Sequence, residues 1–244
     1  MNQHSLTDSV SILMPVSNEA KVIREVIEEW VDDVFQYLTE GSEFLLDEAG
    51  STDGTREILK NLSEKYPFIK VTYNDKRDGF GNAARRLYEK ANCPLIFFTD
   101  SDGQYLAKDF WKLTKHIEKY DMVHGVKLGR KDSVFRRIFS FLFNKYINFL
   151  FSIYFLDMNS AFRLTKADII KNVLPDCVSM PILVNAELLV RTVASNFEVK
   201  QVYILHRERK HGRSRGLRSF RYLIDGMIAV IGLYNIKSSY REKV

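Results

Sequence analysis

The chain has 244 residues, 45% hydrophobic and 13% aromatic, with a formal net charge of +5. That suits one large domain with a real core, or one domain plus an appendage, and the positive balance points to acidic partners: nucleotide phosphates, nucleic acid or an anionic membrane face. The two cysteines, Cys93 and Cys177, lie far apart without CxxC spacing, which excludes a cysteine zinc site and reads as buried thiols in a reducing compartment.

The opening MNQHSLTDS lacks the apolar stretch of a secretory signal. Val10–Val16 is then a short apolar run expected to be a strand. Residues 19–38 have helical periodicity, with Val22, Ile23, Val26, Ile27 and Trp30 on one side. Residues 43–46 form a second strand closed by DEAGSTDGT, where Asp53 can cap a helix running to about Lys65. Strands follow at 68–73 and 94–99, with a helix at 81–91 between them, then a helix at 109–120 and a strand at 122–125. This alternation predicts an α/β fold with a mostly parallel sheet flanked by helices. Ligands of such sheets bind at the C-terminal strand edges, and three polar clusters sit there: 17–19 (SNE), 47–53 (DEAGSTD) and 100–104 (DSDGQ).

The second half changes character. Residues 133–156 are dense in Phe, Ile, Leu and Tyr, yet at about 100° per residue Arg137, Ser140, Asn144, Lys145, Asn148 and Ser152 fall within an arc of roughly 140°, with Phe141 the apolar exception. The polar stripe argues against a membrane span and for an interfacial helix or pair of helices; the plainer alternative is a core helix under the sheet. Residues 222–236 are apolar but short and carry Asp225.

The run LIFFT ends in Asp100 and Asp102. Two carboxylates one residue apart at a strand end can share Mg²⁺ or Mn²⁺, hard cations held by one or two carboxylates plus substrate phosphates, and Gln104 adds an amide oxygen. A turn or cap is the bland alternative, since Asp and Gly are common there. DxDG is also a phosphohydrolase signature, but that class places it on the first strand. Gly79 and Gly81, ahead of the helix bearing Arg85, let backbone approach a ligand near a helix N-terminus.

VSILMPVSNEA, LLDEAGSTDGT, GFGNAARRLYEKA, IFFTDSDGQY, DMNSAFRLTKA and RKHGRSR occur in the order and spacing of family 2 glycosyltransferases. Over about residues 8–220 the chain resembles the polyprenyl-phosphate and dolichyl-phosphate sugar transferases of that family. The resemblance implies a GT-A (Rossmann-like) domain over residues 1–215, with amphipathic helices in the C-terminal half, and a helical tail over 216–244. It places Pro15, Asn18, Glu19 and either Asp47 or Glu48 at the nucleotide base and ribose, where Ala49 stands as an extra residue. Gly81, Arg85 and Asp100 join the nucleotide site. Asp100, Asp102 and Gln104 form the metal and diphosphate site, and Arg209, Arg213 and Ser214 belong to a loop closing over the pyrophosphate. Arg130, Arg136 and Ser140 match the acceptor-phosphate segment. Asp157 is the candidate base for a hydroxyl acceptor, and Ala161 replaces the family's usual Gly.

The resulting expectation is a metal-dependent, inverting hexosyltransferase using a UDP- or GDP-sugar donor and a polyprenyl-phosphate acceptor. It would sit peripherally on the cytoplasmic face of a membrane, alone or with a separate membrane subunit. A soluble family 2 enzyme extending a glycan on a hydroxyl, and a non-catalytic nucleotide-sugar-binding protein, stand as alternatives. The basic run 206–221 has no accompanying nucleic-acid fold signature, so no nucleic-acid partner is expected. His116 and His124 are expected to be structural.

Overall fold

The computed structural model describes residues 6–129, 134–181, 183–209 and 230–238, with the side chains of 134–137 and 139 left out. Seven strands form one sheet: β1 (Val10–Val16), β2 (Glu43–Ala49), β3 (Ile69–Asn74), β4 (Leu95–Phe98), β5 (Met122–Leu128), β6 (Arg163–Lys166) and β7 (Val199–Leu205), in the order β3-β2-β1-β4-β6-β5-β7. Four of the six pairings are parallel; β6 runs antiparallel to both β4 and β5. The apolar runs of β1, β2 and β4 are buried along nearly their whole length, as expected of strands covered on both faces.

Among the described residues the sheet is flanked by α1 (Ile23–Asp33), α2 (Thr55–Lys65), α3 (Phe80–Lys90), α4 (Phe110–Thr114), α5 (Val134–Phe151), α6 (Ala167–Val173) and α7 (Val184–Ala194). Neighbouring residues of β4 show the two layers. Phe97 meets Trp30 of α1 and Phe110 of α4 on one face, while Phe98 stacks on Tyr88 of α3 on the other. Residues 230–238 are helical and seat Leu233 and Ile236 in the same core. Both cysteines are buried free thiols.

Several boundaries differ from the sequence expectation. The first helix starts at Ile23, because residues 17–21 form a turn with Asn18 at φ 53°. β2 extends to Ala49, so Asp47 and Glu48 belong to a buried strand and not to a turn. The helix expected over 109–120 is a 3-10 turn (Ala107–Asp109) followed by the single short α4. The segment 133–156 holds one helix, α5. Nothing had marked β6, α6, α7 or β7, which lack clean periodicity or turn signals.

The topology creates the ligand edge. β1 pairs β2 on one side and β4 on the other, the point where strand order reverses. The β1–β4 register ends at Leu13↔Phe98, whereas β1 stays paired to β2 through Pro15↔Asp47 and Val16↔Glu48. A crevice opens between β1 and β4, and Asp100 stands at its mouth. Because β6 is antiparallel, the loop that precedes it, 157–162, arrives at this same edge.

Candidate donor and acceptor site

The β1 and β2 loops are laced together. Asn18 N–H donates to Ser51 Oγ (2.8 Å), Thr52 N–H to Asn18 Oδ1 (2.8 Å) and Glu19 N–H to Thr55 Oγ1 (2.9 Å). Asp53 accepts from Ala20 N–H and from the Thr55 N–H and hydroxyl. The 51–55 stretch therefore does more than start α2; it fixes the 17–20 turn. Pro15 has no N–H to satisfy where β1 leaves β4.

The two acids of β2 point to opposite faces, and each is neutralised by an arginine. Glu48 is fully buried; its Oε2 pairs with Arg56 Nε at 2.7 Å and its Oε1 accepts Ser51 N–H at 2.7 Å. Asp47 takes two bonds from Arg86, at 2.8 and 2.9 Å, and one from Asn74 at 3.2 Å. Arg86 also pairs with Asp78, and both acids raise its pKa, Asp47 more strongly. Removing either arginine would strand a buried carboxylate; at the Arg86–Asp47 pair the cost is about 3–5 kcal/mol. Arg86, not singled out from the sequence, is thus the arginine of α3 that reaches the β2 acids. Its neighbour Arg85 turns away and donates to the carbonyls of Leu174 (3.2 Å) and Cys177. Gly81 is needed for packing: a Cβ there would sit 1.8 Å from the Pro181 carbonyl oxygen.

Beyond β4 the chain turns at Gly103 (φ 72°), and Gln104 N–H donates to Asp102 Oδ1 at 3.1 Å. Asp100 is half-buried beside it. Burial and then the Asp102 carboxylate push its pKa up to about 7, and the charges of Lys127 and Arg209 offset this only in part. A crowded acid pair whose repulsion is not fully relieved, made of hard oxygen donors, fits Mg²⁺ or Mn²⁺. Among the described residues no group of three or more His, Cys, Asp or Glu surrounds a common point.

Residues 206–209 lie over this turn. Arg207 N–H donates to Gln104 O (2.7 Å) and Gln104 Nε2 to Arg207 O (3.1 Å), fixing the Gln104 amide. Arg209 forms an ion pair with Glu19, and its Nη1 lies 3.8 Å from Asp102 Oδ2, so it joins the β1 turn to the acid pair. Arg213 and Ser214 lie outside the described residues.

On the far side Asp157 is buried, with Oδ2 3.3 Å from Lys127 Nζ. Its carbonyl meets His124 Nε2 at 2.6 Å. Burial drives the His124 pKa down to about 3, and the Arg163 charge adds to the shift, so the ring is neutral as expected of a structural histidine. The non-glycine residues of positive φ among those described are Asn18, Ser152 and Asn196, so Ala161 occupies ordinary backbone, where glycine is not required. Lys127 escaped the sequence reading because β5 was ended at Gly125. A lone lysine in VHGVKLG was the available signal. Of the acceptor candidates, Ser140 is half-buried on α5, Arg136 is described only as helical backbone, and Arg130 lies outside the described residues.

α5 carries an unusual polarity. Ile147 is fully buried and Phe143 and Leu150 pack against the core, while Ile138 (54% exposed), Phe141, Leu142 and Phe149 (83%) face outward. Asn144 and Asn148, members of the polar arc, turn inward. Among the described residues no helix is long and apolar enough to cross a membrane.

Known proteins resemble this chain in sequence or in fold. The chain is 28% identical over 212 residues to an undecaprenyl-phosphate 4-deoxy-4-formamido-L-arabinose transferase of Pseudomonas syringae pv. syringae, which covers 84% of the chain and 60% of the relative. It is 30% identical over 162 residues to glycosyltransferase AglJ of Haloferax volcanii, covering 64% and 50%. The chain thus spans about half to 60% of the length of these relatives. In fold it is similar to a mannosyltransferase of Pyrobaculum calidifontis solved with GDP-Man and Mn²⁺ (TM-score 0.66, 16% identity, 93% and 64% coverage). It is also similar to the Mycobacterium tuberculosis glucosyl-3-phosphoglycerate synthase solved with Mn²⁺, UDP and phosphoglyceric acid (TM-score 0.71, 18%, 95% and 79%). The expected GT-A architecture is therefore the observed one. The model of glycosyl transferase family 2 matches residues 11–174, well over half of the chain, and the chain belongs to that family.

Proposed function

We propose that this protein moves a sugar from a UDP- or GDP-sugar to the phosphate of a polyprenyl lipid, with inversion at the anomeric carbon, at the cytoplasmic face of a membrane. The observation that carries the reading is one edge with two sides. The acid pair Asp100–Asp102 and Arg209 face the β1–β4 crevice, and across from them lies the Lys127–Asp157 pair. Beside that edge, α5 exposes an apolar face. The named relatives and the ligands of the similar structures support donor and acceptor of these classes.

Asp100 and Asp102, with Gln104, would hold Mg²⁺ or Mn²⁺, which when bound supplies charge neutralisation for the departing nucleoside diphosphate. The turn at 15–19 and the 47–51 edge would hold base and ribose. Arg209 reaches the diphosphate from above by letting go of Glu19. A lipid phosphate arrives ionised, so the site needs to orient it and screen its charge more than to remove a proton. Arg130, Arg136 and Ser140 are the acceptor-phosphate candidates and Lys127 lies nearby in the strand. For a hydroxyl acceptor the base would have to be Asp157, which pairs with Lys127.

Donor binding tests the first half. Calorimetry with UDP and GDP should give binding in Mn²⁺ that falls at least tenfold in EDTA. Asp102→Asn should weaken the metal-dependent part without lowering Tm. Equal affinity with and without the cation would remove the metal assignment.

A further inference from the structure

α5 ends in a tight reversal: Ser152 takes φ 53° and Ile153 N–H donates to Asn148 O at 3.1 Å, closing the last turn in a Schellman pattern. The chain then runs back along the helix toward Asp157. Three carboxamides grip its backbone. Asn148 Oδ1 accepts Phe155 N–H (2.9 Å) and its Nδ2 donates to Phe155 O (2.9 Å). Gln201 of β7 accepts Leu156 N–H (2.9 Å) and donates to Tyr154 O (2.8 Å). Asn144 donates to Leu156 O (2.8 Å) and accepts Met158 N–H (3.3 Å). With the His124 contact at Asp157 O, the 154–158 backbone is held almost as a strand would be, but by side chains.

This explains the inverted polarity of α5. Its amides are spent inward on the loop that ends in Asp157, and its outward face carries Ile138, Phe141, Leu142 and Phe149 around the exposed Lys145. We propose that Asn144, Asn148 and Gln201 are positioning residues that make Asp157 and α5 one mechanical unit. Seating the apolar face of α5 on a lipid surface then sets the Asp157–Lys127 pair against the donor edge. The link from α5 to lipid rests on the function proposed above; the clasp itself does not.

Two readouts separate them. Hydrogen exchange of the 153–160 peptide, measured on the whole protein with and without phosphatidylglycerol–phosphatidylcholine vesicles, needs no sugar or acceptor. The amides of Phe155, Leu156 and Met158 should exchange slowly, and several-fold more slowly on vesicles. Asn148→Leu and Gln201→Met should still bind vesicles but lose that added protection. In transfer assays the same variants should lose about ten- to a hundredfold in kcat per folded molecule, with donor affinity and acceptor KM nearly unchanged. Gln201→Glu, which keeps the acceptor for Leu156 N–H, should recover part of the loss. Turnover that falls only in proportion to the folded fraction, or protection at 153–160 that ignores both vesicles and substitutions, would overturn the proposal. Expected exchange behaviour in a protein that transfers nothing to lipid phosphate would uphold the clasp and sink the acceptor reading.

Discussion

The place of Asp100 and Asp102 was legible because an apolar run that ends in two acids leaves few structural uses for them, and the strand end puts them at the edge where ligands of such sheets bind. Asp47 and Glu48 were not legible to the same degree. Their partners Arg86 and Arg56 lie 39 and 8 residues away, on α3 and α2, and only the fold shows which acid faces which arginine. Among single residues His124 offers a clean test. In the folded chain it stays neutral down to about 3, whereas in the unfolded chain it takes up a proton near 6.5. Between those values the unfolded state binds more protons, so stability falls as pH falls through that window and the neutral histidine is fully tolerated above it. His124→Gln should remove this contribution, about 2 kcal/mol between pH 6.5 and pH 5, from the urea stability profile. Parallel wild-type and variant curves over that range would show that His124 is not held neutral by the core.

At the scale of elements, periodicity found the β-α half well, since strands covered on both faces read as continuous apolar runs. It failed over 157–205, where β6 is four residues long and α7 is buried all round, so neither shows a face. Of the polar arc on α5, Lys145 is exposed, whereas Asn144 and Asn148 turn to the returning loop, which needs their donors and acceptors. That sets the design of a membrane test. Phe143 packs against the core, so charge belongs at Leu142 and Phe149, which face outward. Wild-type protein should co-sediment with anionic vesicles at low salt. Leu142→Glu and Phe149→Glu should reduce binding several-fold without lowering Tm, since neither side chain supports the core. Wild-type protein that stays in the supernatant would move the reading toward a hydroxyl-acceptor enzyme.

At the scale of the whole molecule, the proposed site depends on one antiparallel strand inside a mostly parallel sheet. The parallel strands carry the proposed donor residues of 15–19, 47–56 and 100–104 to one edge. β6, running the other way, delivers 157–162 to that edge, and β5 brings Lys127 between the two sets. The strand-helix alternation made the parallel part readable; the reversal depends on pairings across 39 to 71 residues, such as His124↔Arg163 and Leu95↔Lys166, and no local signal encodes it. The central claim is sugar transfer to a lipid phosphate, and product formation tests it most directly. With polyprenyl phosphate in mixed micelles, Mn²⁺ and a panel of UDP- and GDP-sugars, one donor should yield an organic-extractable glycosyl phospholipid. Arg136→Ala should cut its formation about ten- to a hundredfold, the loss of one charge-assisted hydrogen bond, with donor affinity unchanged. No lipid product from any donor, or a product formed equally well by Arg136→Ala but abolished by Asp157→Asn on a hydroxyl acceptor, would contradict it.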